Sequence, residues 1–217
     1  MCSKSDITTN KSDIHTVFVL ALIEFTQGGT FFMYKEKLLI LLEGALMAAI
    51  ATVLSAVVPT VEWFDISLGI IPIVIFSIRR GLKAGLLSGL LWGLLPILIG
   101  RASILTVTQG ILEYPVANMV VGLAGIYSNQ IKQALSDNNW HVIFSRSLLA
   151  VFIAVFAKYF CHFIAGIIFW GSYAPKGMSP VLYSLFVNGG SFLFNLVLAD
   201  IVVVALERKA DRIFALS

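Results

Sequence analysis

The chain has 217 residues, 59% hydrophobic and only 12% charged, with a formal net charge of +3 and a mean hydropathy of +0.93. These values exclude a soluble globular domain and describe an integral membrane protein. The small charge, scattered in short clusters, argues against nucleic-acid binding, and Cys2 and Cys161, far apart, suggest neither a disulfide framework nor a cysteine metal site.

Residues 1–32 are polar as far as His15 and then offer only Val17 to Ile23 as an apolar stretch, too short to cross a bilayer. No small-residue cleavage site follows it, so it makes a poor signal peptide. Gln27, Gly28 and Gly29 can be encoded by a purine-rich stretch that reads as a bacterial ribosome-binding site, a few codons before Met33. The expectation is a disordered or non-native extension over 1–32 and a membrane domain over 33–217, with translation starting at Met33.

Apolar runs bounded by Gly, Pro or charge predict six helices, at Leu38–Val58, Ile66–Ile78, Lys83–Ile99, Ile104–Ile126, Ser147–Phe169 and Pro180–Leu206. The second has only thirteen residues, so it is tilted inside the bundle or borrows its flanks. In the even loops and the termini after Met33, counting Lys83 at the edge of the third span, ten Lys and Arg from Lys35 to Arg212 fall on one side of this arrangement, against Arg101 and Lys176 on the other. The positive-inside bias then puts both termini in the cytoplasm, and the loops beginning near Pro59, Gly100 and Gly171 outside. The expected fold is an all-α integral membrane protein, a six-transmembrane-helix bundle.

In the first span Ala45 and Ala49, flanked by Gly44 and Ala48, make a small-residue face fit either for internal packing or for docking another membrane subunit. The third span repeats the device with Gly81, Gly85, Gly89 and Gly93, read as a packing face. No internal repeat is visible, which argues against a large inverted-repeat transporter.

Ionisable residues inside a span cost roughly 2.5 to 3.5 kcal/mol on insertion scales and persist mainly where they face protein or ligand. Glu43 and Asp200 lie near cytoplasmic helix ends and can reach the interface, so they stay outside the candidate site. Glu113 is deeper and precedes Tyr114 and Pro115; a proline there frees a backbone carbonyl and predicts a bend beside the carboxylate. An ion pair between Glu113 and Lys158 that merely locks two helices is the structural alternative. On the fifth span Lys158, His162, Gly166 and Trp170 form one stripe at helical spacing. Gly166 reads either as a gap for a ligand or as a packing contact. Trp170, Trp63, Tyr183 and Asn188 lie at the same outer depth. Together they predict a pocket open to the outside for a flat aromatic ligand, where a positive charge on the ligand is welcome over the rings.

His162 has no second histidine at ligand spacing, so no metal is expected. No nucleophile and base are spaced for catalysis, and no phosphate-cradling glycine loop is present. The chain therefore reads as a non-enzyme without a cofactor and without its own ATPase.

The run Lys158–Gly177, the Glu113–Tyr114 pair, the segment Arg79–Gly93 and the later Tyr183 and Asn188 resemble the thiamine-specific substrate-binding subunit of energy-coupling-factor vitamin transporters. The resemblance covers Glu36 to about Val204. It implies a six-helix bundle that binds thiamine on its outer side, under a lid made by the first loop around Trp63. A membrane-coupling (T) subunit and two ATP-binding subunits then energise uptake. It further implies that Glu113 holds the aminopyrimidine with Tyr183 and Asn188, and that Trp170 stacks on the ligand. His162, Tyr114 and Trp63 surround the thiazolium, Lys158 supports Glu113, and Ala45 and Ala49 dock the coupling subunit. Ser103 and Pro175 depart from the family pattern, each standing where an aromatic is usual. A subunit for another aromatic vitamin and a stand-alone proton-coupled transporter are the alternatives.

Overall fold

The computed structural model describes residues 35–57, 64–209 and 214. The extension over 1–32 and the start at Met33 lie outside the described residues. Contacts divide the chain into Met1–Leu41, of which only the opening of one helix is described, and Leu42–Ser217, which holds the rest of the architecture.

Every described element is helical. Helix α1 is Lys35–Val57, α2 Ile70–Arg80 and α3 Leu82–Leu98. Helix α4 is Val107–Ser136, α5 Trp140–Ile168 and α6 Pro180–Lys209. Of these, α1, α4, α5 and α6 are long and apolar enough to cross a membrane, and α3 is a shorter apolar helix. Large apolar side chains turn outward, among them Val53, Leu87, Phe152, Leu193 and Ile201. So continuous an apolar exterior needs lipid around it.

The ends of the described helices differ instructively from those predicted. Helix α4 runs on to Ser136 and α5 begins at Trp140, because helices continue past their apolar cores. Asn139 caps α5 by accepting the Val142 N–H at 3.3 Å, and the last stretch of α4 buries Ser128, Ile131 and Ala134 on one face. Helix α2 begins at Ile70 instead of Ile66. The residues before it are held in the connection by α6, where Asn195 Oδ1 accepts the Ser67 N–H at 2.8 Å. Eleven residues rise only about 16 Å. This short helix is the inner element: Ile70, Ile73, Val74, Phe76 and Ile78 are all buried.

Gly81, with φ of 87°, turns the chain from α2 into α3. The glycine stripe of α3 then lies against α4. A methyl on Gly89 would run into the Asn118 carbonyl and sit 3.1 Å from Met119 Cα, and one on Gly93 would run into Tyr114 and Pro115. Across the interface Gly122 and Gly125 accept the α3 backbone in the same way. The predicted packing face is thus a reciprocal backbone contact.

The small residues of α1 separate into two faces. Gly44 and Ala48 are buried, with Phe76 against Gly44 and the Ser88 hydroxyl donating to the Gly44 carbonyl at 2.7 Å. Ala45 and Ala49 are exposed. At the Gly81 corner Glu43 takes both Arg79 (3.1 Å) and Arg80 (2.7 Å). Helix α6 is pinned to α5 by Ser147 donating to the buried Glu207 and by Ser184 Oγ donating to the Phe163 carbonyl at 2.7 Å.

Gly89→Ala is expected to lower stability by about 1–3 kcal/mol, since overpacking a tight contact outweighs any gain in helix propensity. Gly189→Ala is the control, because its added methyl meets nothing closer than Leu185 Cδ1 at 3.9 Å. Thermal unfolding in detergent should fall for the first variant and hold for the second.

Candidate functional site

Helix α4 changes gauge along its length. It is α-helical over Val107–Ile111, widens to a π turn over Leu112–Val116, and tightens to a 3₁₀ stretch over Val120–Tyr127. Pro115 sits in the π turn and lacks the N–H that a regular turn would use. At the proline where the sequence predicted a bend the helix is widened, with the Gly93 backbone of α3 pressed against it. Single π turns recur at functional sites, and this one carries Glu113 and Tyr114.

Glu113 is held from two sides. Gln109, four residues earlier and fully buried, donates through Nε2 to Glu113 Oε2. The Trp170 indole N–H, just past the end of α5, donates to Glu113 Oε1 at 2.7 Å. Gln109 also organises the segment before α4, donating to the Ser103 carbonyl at 3.2 Å and accepting the Leu105 N–H at 2.9 Å. Tyr114 completes that tie, its hydroxyl accepting the Ser103 N–H at 2.7 Å. Ser103 therefore contributes through its backbone.

Lys158 is 4% exposed. Its ammonium donates to Asn118 Oδ1 at 2.7 Å, stands 4.9 Å from the centre of the Trp92 ring, and lies 3.5 Å from His162 Nε2. The direct ion pair with Glu113, the structural alternative raised by the sequence, is absent. Among the described residues the ion pairs within 4.0 Å are those of Glu43 with Arg79 and Arg80. An amide oxygen and an indole face stabilise the ammonium instead.

The other predicted residues are placed as follows. His162 is half-buried beside Lys158, its ring 5.9 Å from that of Tyr159. Gly166 is no gap: a methyl there would run into Ser184 Oγ and stand 3.2 Å from Asn188 Nδ2. The glycine lets α6 approach, and Asn188 Nδ2 donates back to Ser184 O and Oγ, both at 3.1 Å. Trp170 engages Glu113 through its edge, and its ring packs on Tyr173 at 5.4 Å. Tyr183 is half-buried near the start of α6. Trp63 lies outside the described residues. Among the described residues no three of His, Cys, Asp and Glu are grouped so as to hold a metal ion.

The candidate set drawn from the sequence lacks Gln109, Asn118 and Trp92. The spacing of Gln109 to Glu113 is a helical contact distance and was the available signal. Trp92 and Asn118 carry no such signal, since they meet Lys158 only through tertiary packing.

A carboxylate held by an amide and an indole, close to a buried ammonium, is also the setting for the comparisons with known proteins. The family model described as "Thiamine transporter protein" matches residues 41–215. This chain belongs to that family. It is similar to the thiamine transporter ThiT of Lacticaseibacillus paracasei, 41% identical over 184 residues, which covers 82% of this chain and 92% of that one. The ThiT of Bacillus subtilis is 33% identical, with 82% and 95% covered. A solved structure of ThiT from Listeria monocytogenes superposes with a TM-score of 0.79 at 37% identity, covering 83% of this chain and all of that one. The membership makes this a multi-pass protein of the bacterial plasma membrane and a transport protein, not an enzyme.

Gln109→Leu keeps the bulk of the side chain but leaves the Leu105 N–H and the Ser103 carbonyl unpaired. Stability measured by thermal unfolding should drop by about 0.5–1.5 kcal/mol, the net worth of a lost hydrogen bond, since Ser103 and Leu105 are exposed and water can take the place of the amide.

Proposed function

We propose that the protein captures thiamine on the outer face of the membrane and delivers it inward as the substrate-binding subunit of an ATP-driven energy-coupling-factor transporter. The observation that carries this reading is the state of Glu113. Each of its oxygens accepts one hydrogen bond from the protein, and a carboxylate has room for about four. The remaining capacity suits the amino edge of an aminopyrimidine. Family membership supports the choice of thiamine among aromatic vitamins.

In this reading Glu113 holds the pyrimidine with Tyr183 and Asn188, and Trp170 both orients Glu113 and offers its ring to the ligand. Tyr114 and His162 line the thiazolium side. Lys158, fixed by Asn118, acts as a supporting charge behind them, and Gly166 acts by letting α6 bring Asn188 close. Six spans with cytoplasmic termini are supported by the distribution of Lys and Arg, ten on one side against two on the other. Helix α2 is then a half-length span enclosed by the others.

The exposed Ala45 and Ala49 support a partner. Their backbone is open to close approach by another helix, while Gly44 and Ala48 already serve the bundle. The proposed partner is the membrane-coupling (T) subunit, which joins two ATP-binding subunits. ATP hydrolysis there reorients the bundle, since this sequence has no phosphate-binding loop of its own.

Calorimetry of the purified protein with thiamine, beside riboflavin and hydroxymethylpyrimidine as competitors, tests the ligand. Strong heat with thiamine alone is expected, and none would overturn the assignment. Glu113→Gln should weaken thiamine binding more than about tenfold, because hydrogen bonds to charged groups contribute roughly 1.5–3 kcal/mol. Unchanged affinity with easier unfolding would instead make Glu113 a structural residue. Replacing both Ala45 and Ala49 by Leu should abolish co-purification with the coupling subunit and leave thiamine binding intact.

A further inference from the structure

A second carboxylate stands near the site, outside the set of residues considered so far. Asp65 lies in the connection between α1 and α2, half-exposed, and is held more firmly than a loop residue needs to be. Its Oδ2 accepts the Tyr159 hydroxyl at 3.0 Å, and its backbone N–H donates to Ser191 Oγ at 2.9 Å. Its carbonyl accepts Asn195 Nδ2 at 2.7 Å, and the same amide nitrogen donates to the Tyr159 hydroxyl at 2.7 Å. Tyr159 and Asn195 are 3% and 2% exposed. A buried tyrosine on α5 and a buried asparagine on α6 therefore fix where this carboxylate stands.

Its position has an electrostatic consequence. Tyr159 follows Lys158 in the chain and its ring is 5.9 Å from that of His162. Asp65 is thus tied to the residue next to Lys158, whose ammonium lies 3.5 Å from His162 Nε2, which sets this carboxylate on the His162 side of the site. No described Lys or Arg makes an ion pair with Asp65 within 4.0 Å. Among the described residues this region then holds two carboxylates, Glu113 and Asp65, and one ammonium, Lys158. A neutral ligand would leave one carboxylate unmatched, whereas a monocation would match it.

We propose that Asp65 is a specificity residue that recognises the positive charge of the ligand, its carboxylate presented by Tyr159 and Asn195 to the thiazolium ring. This rests on the thiamine reading above. Glu113 then reads the hydrogen-bonding edge of the pyrimidine and Asp65 reads the charge at the other end.

The test compares thiamine with its neutral isostere, in which the charged ring nitrogen is replaced by carbon, by calorimetry on the wild type and on Asp65→Asn. The amide keeps the acceptor for Tyr159 and the size of the side chain, and removes only the charge. Asp65→Asn should weaken thiamine about tenfold or more and change the isostere by less than about twofold. Tyr159→Phe, which releases the carboxylate, should shift the preference in the same direction by less. An equal loss for both ligands, or no loss for either, in both variants overturns the inference. A wild type that binds thiamine while Asp65→Asn keeps the full preference for the cation overturns it alone. A wild type that binds no thiamine overturns the functional reading beneath it.

Discussion

Keeping the Lys158 ammonium out of water, within an apolar helix bundle, is the constraint around which the polar half of this protein is arranged. An isolated ammonium in a low-dielectric setting is costly, and a carboxylate in contact is the obvious remedy. The structure uses another: the Asn118 carbonyl oxygen at 2.7 Å and the face of Trp92. Both carboxylates are thereby left for other work. Glu113 is held by neutral donors, Gln109 and Trp170, and Asp65 by the Tyr159 hydroxyl. The ammonium consumes none of their hydrogen-bonding capacity.

That arrangement depends on how closely α3 and α4 meet. Glycines on both helices bring the two backbones together, which seats Asn118 and Trp92 on facing elements within reach of Lys158. The π turn at Leu112–Val116 belongs to the same contact, because Gly93 packs against its Tyr114 and Pro115. A regular turn there would place Glu113 differently relative to Gln109 and Trp170. Local backbone irregularity, interhelical packing and the placement of the acid are one structural unit.

Much of this was legible in the sequence because hydrophobic runs, glycine spacing and misplaced charges are local signals. The apolar helices, the glycine face of α3 and the choice of Glu113, Lys158 and Trp170 as candidates all follow from such signals. The partners of those residues were less legible. Asn118 is forty residues from Lys158 in sequence, and nothing in either neighbourhood announces the contact. Gly166 was ambiguous for the same reason, since only the position of Ser184 and Asn188 decides whether a glycine leaves space or fills it. The start of α2 was misjudged because an apolar run was read as helix, while Asn195, far along the chain, takes the Ser67 N–H into the connection. The division of Gly44 and Ala48 from Ala45 and Ala49 likewise depends on where Phe76 and Ser88 lie.

The account as a whole assigns opposite ends of one ligand to two carboxylates set apart around a buried ammonium. A structure of the protein determined with thiamine bound tests this most directly. The account predicts the aminopyrimidine within hydrogen-bonding distance of Glu113 and the thiazolium on the side of His162 and Asp65. Thiamine bound elsewhere on the bundle, or seated with its two rings exchanged, would contradict it.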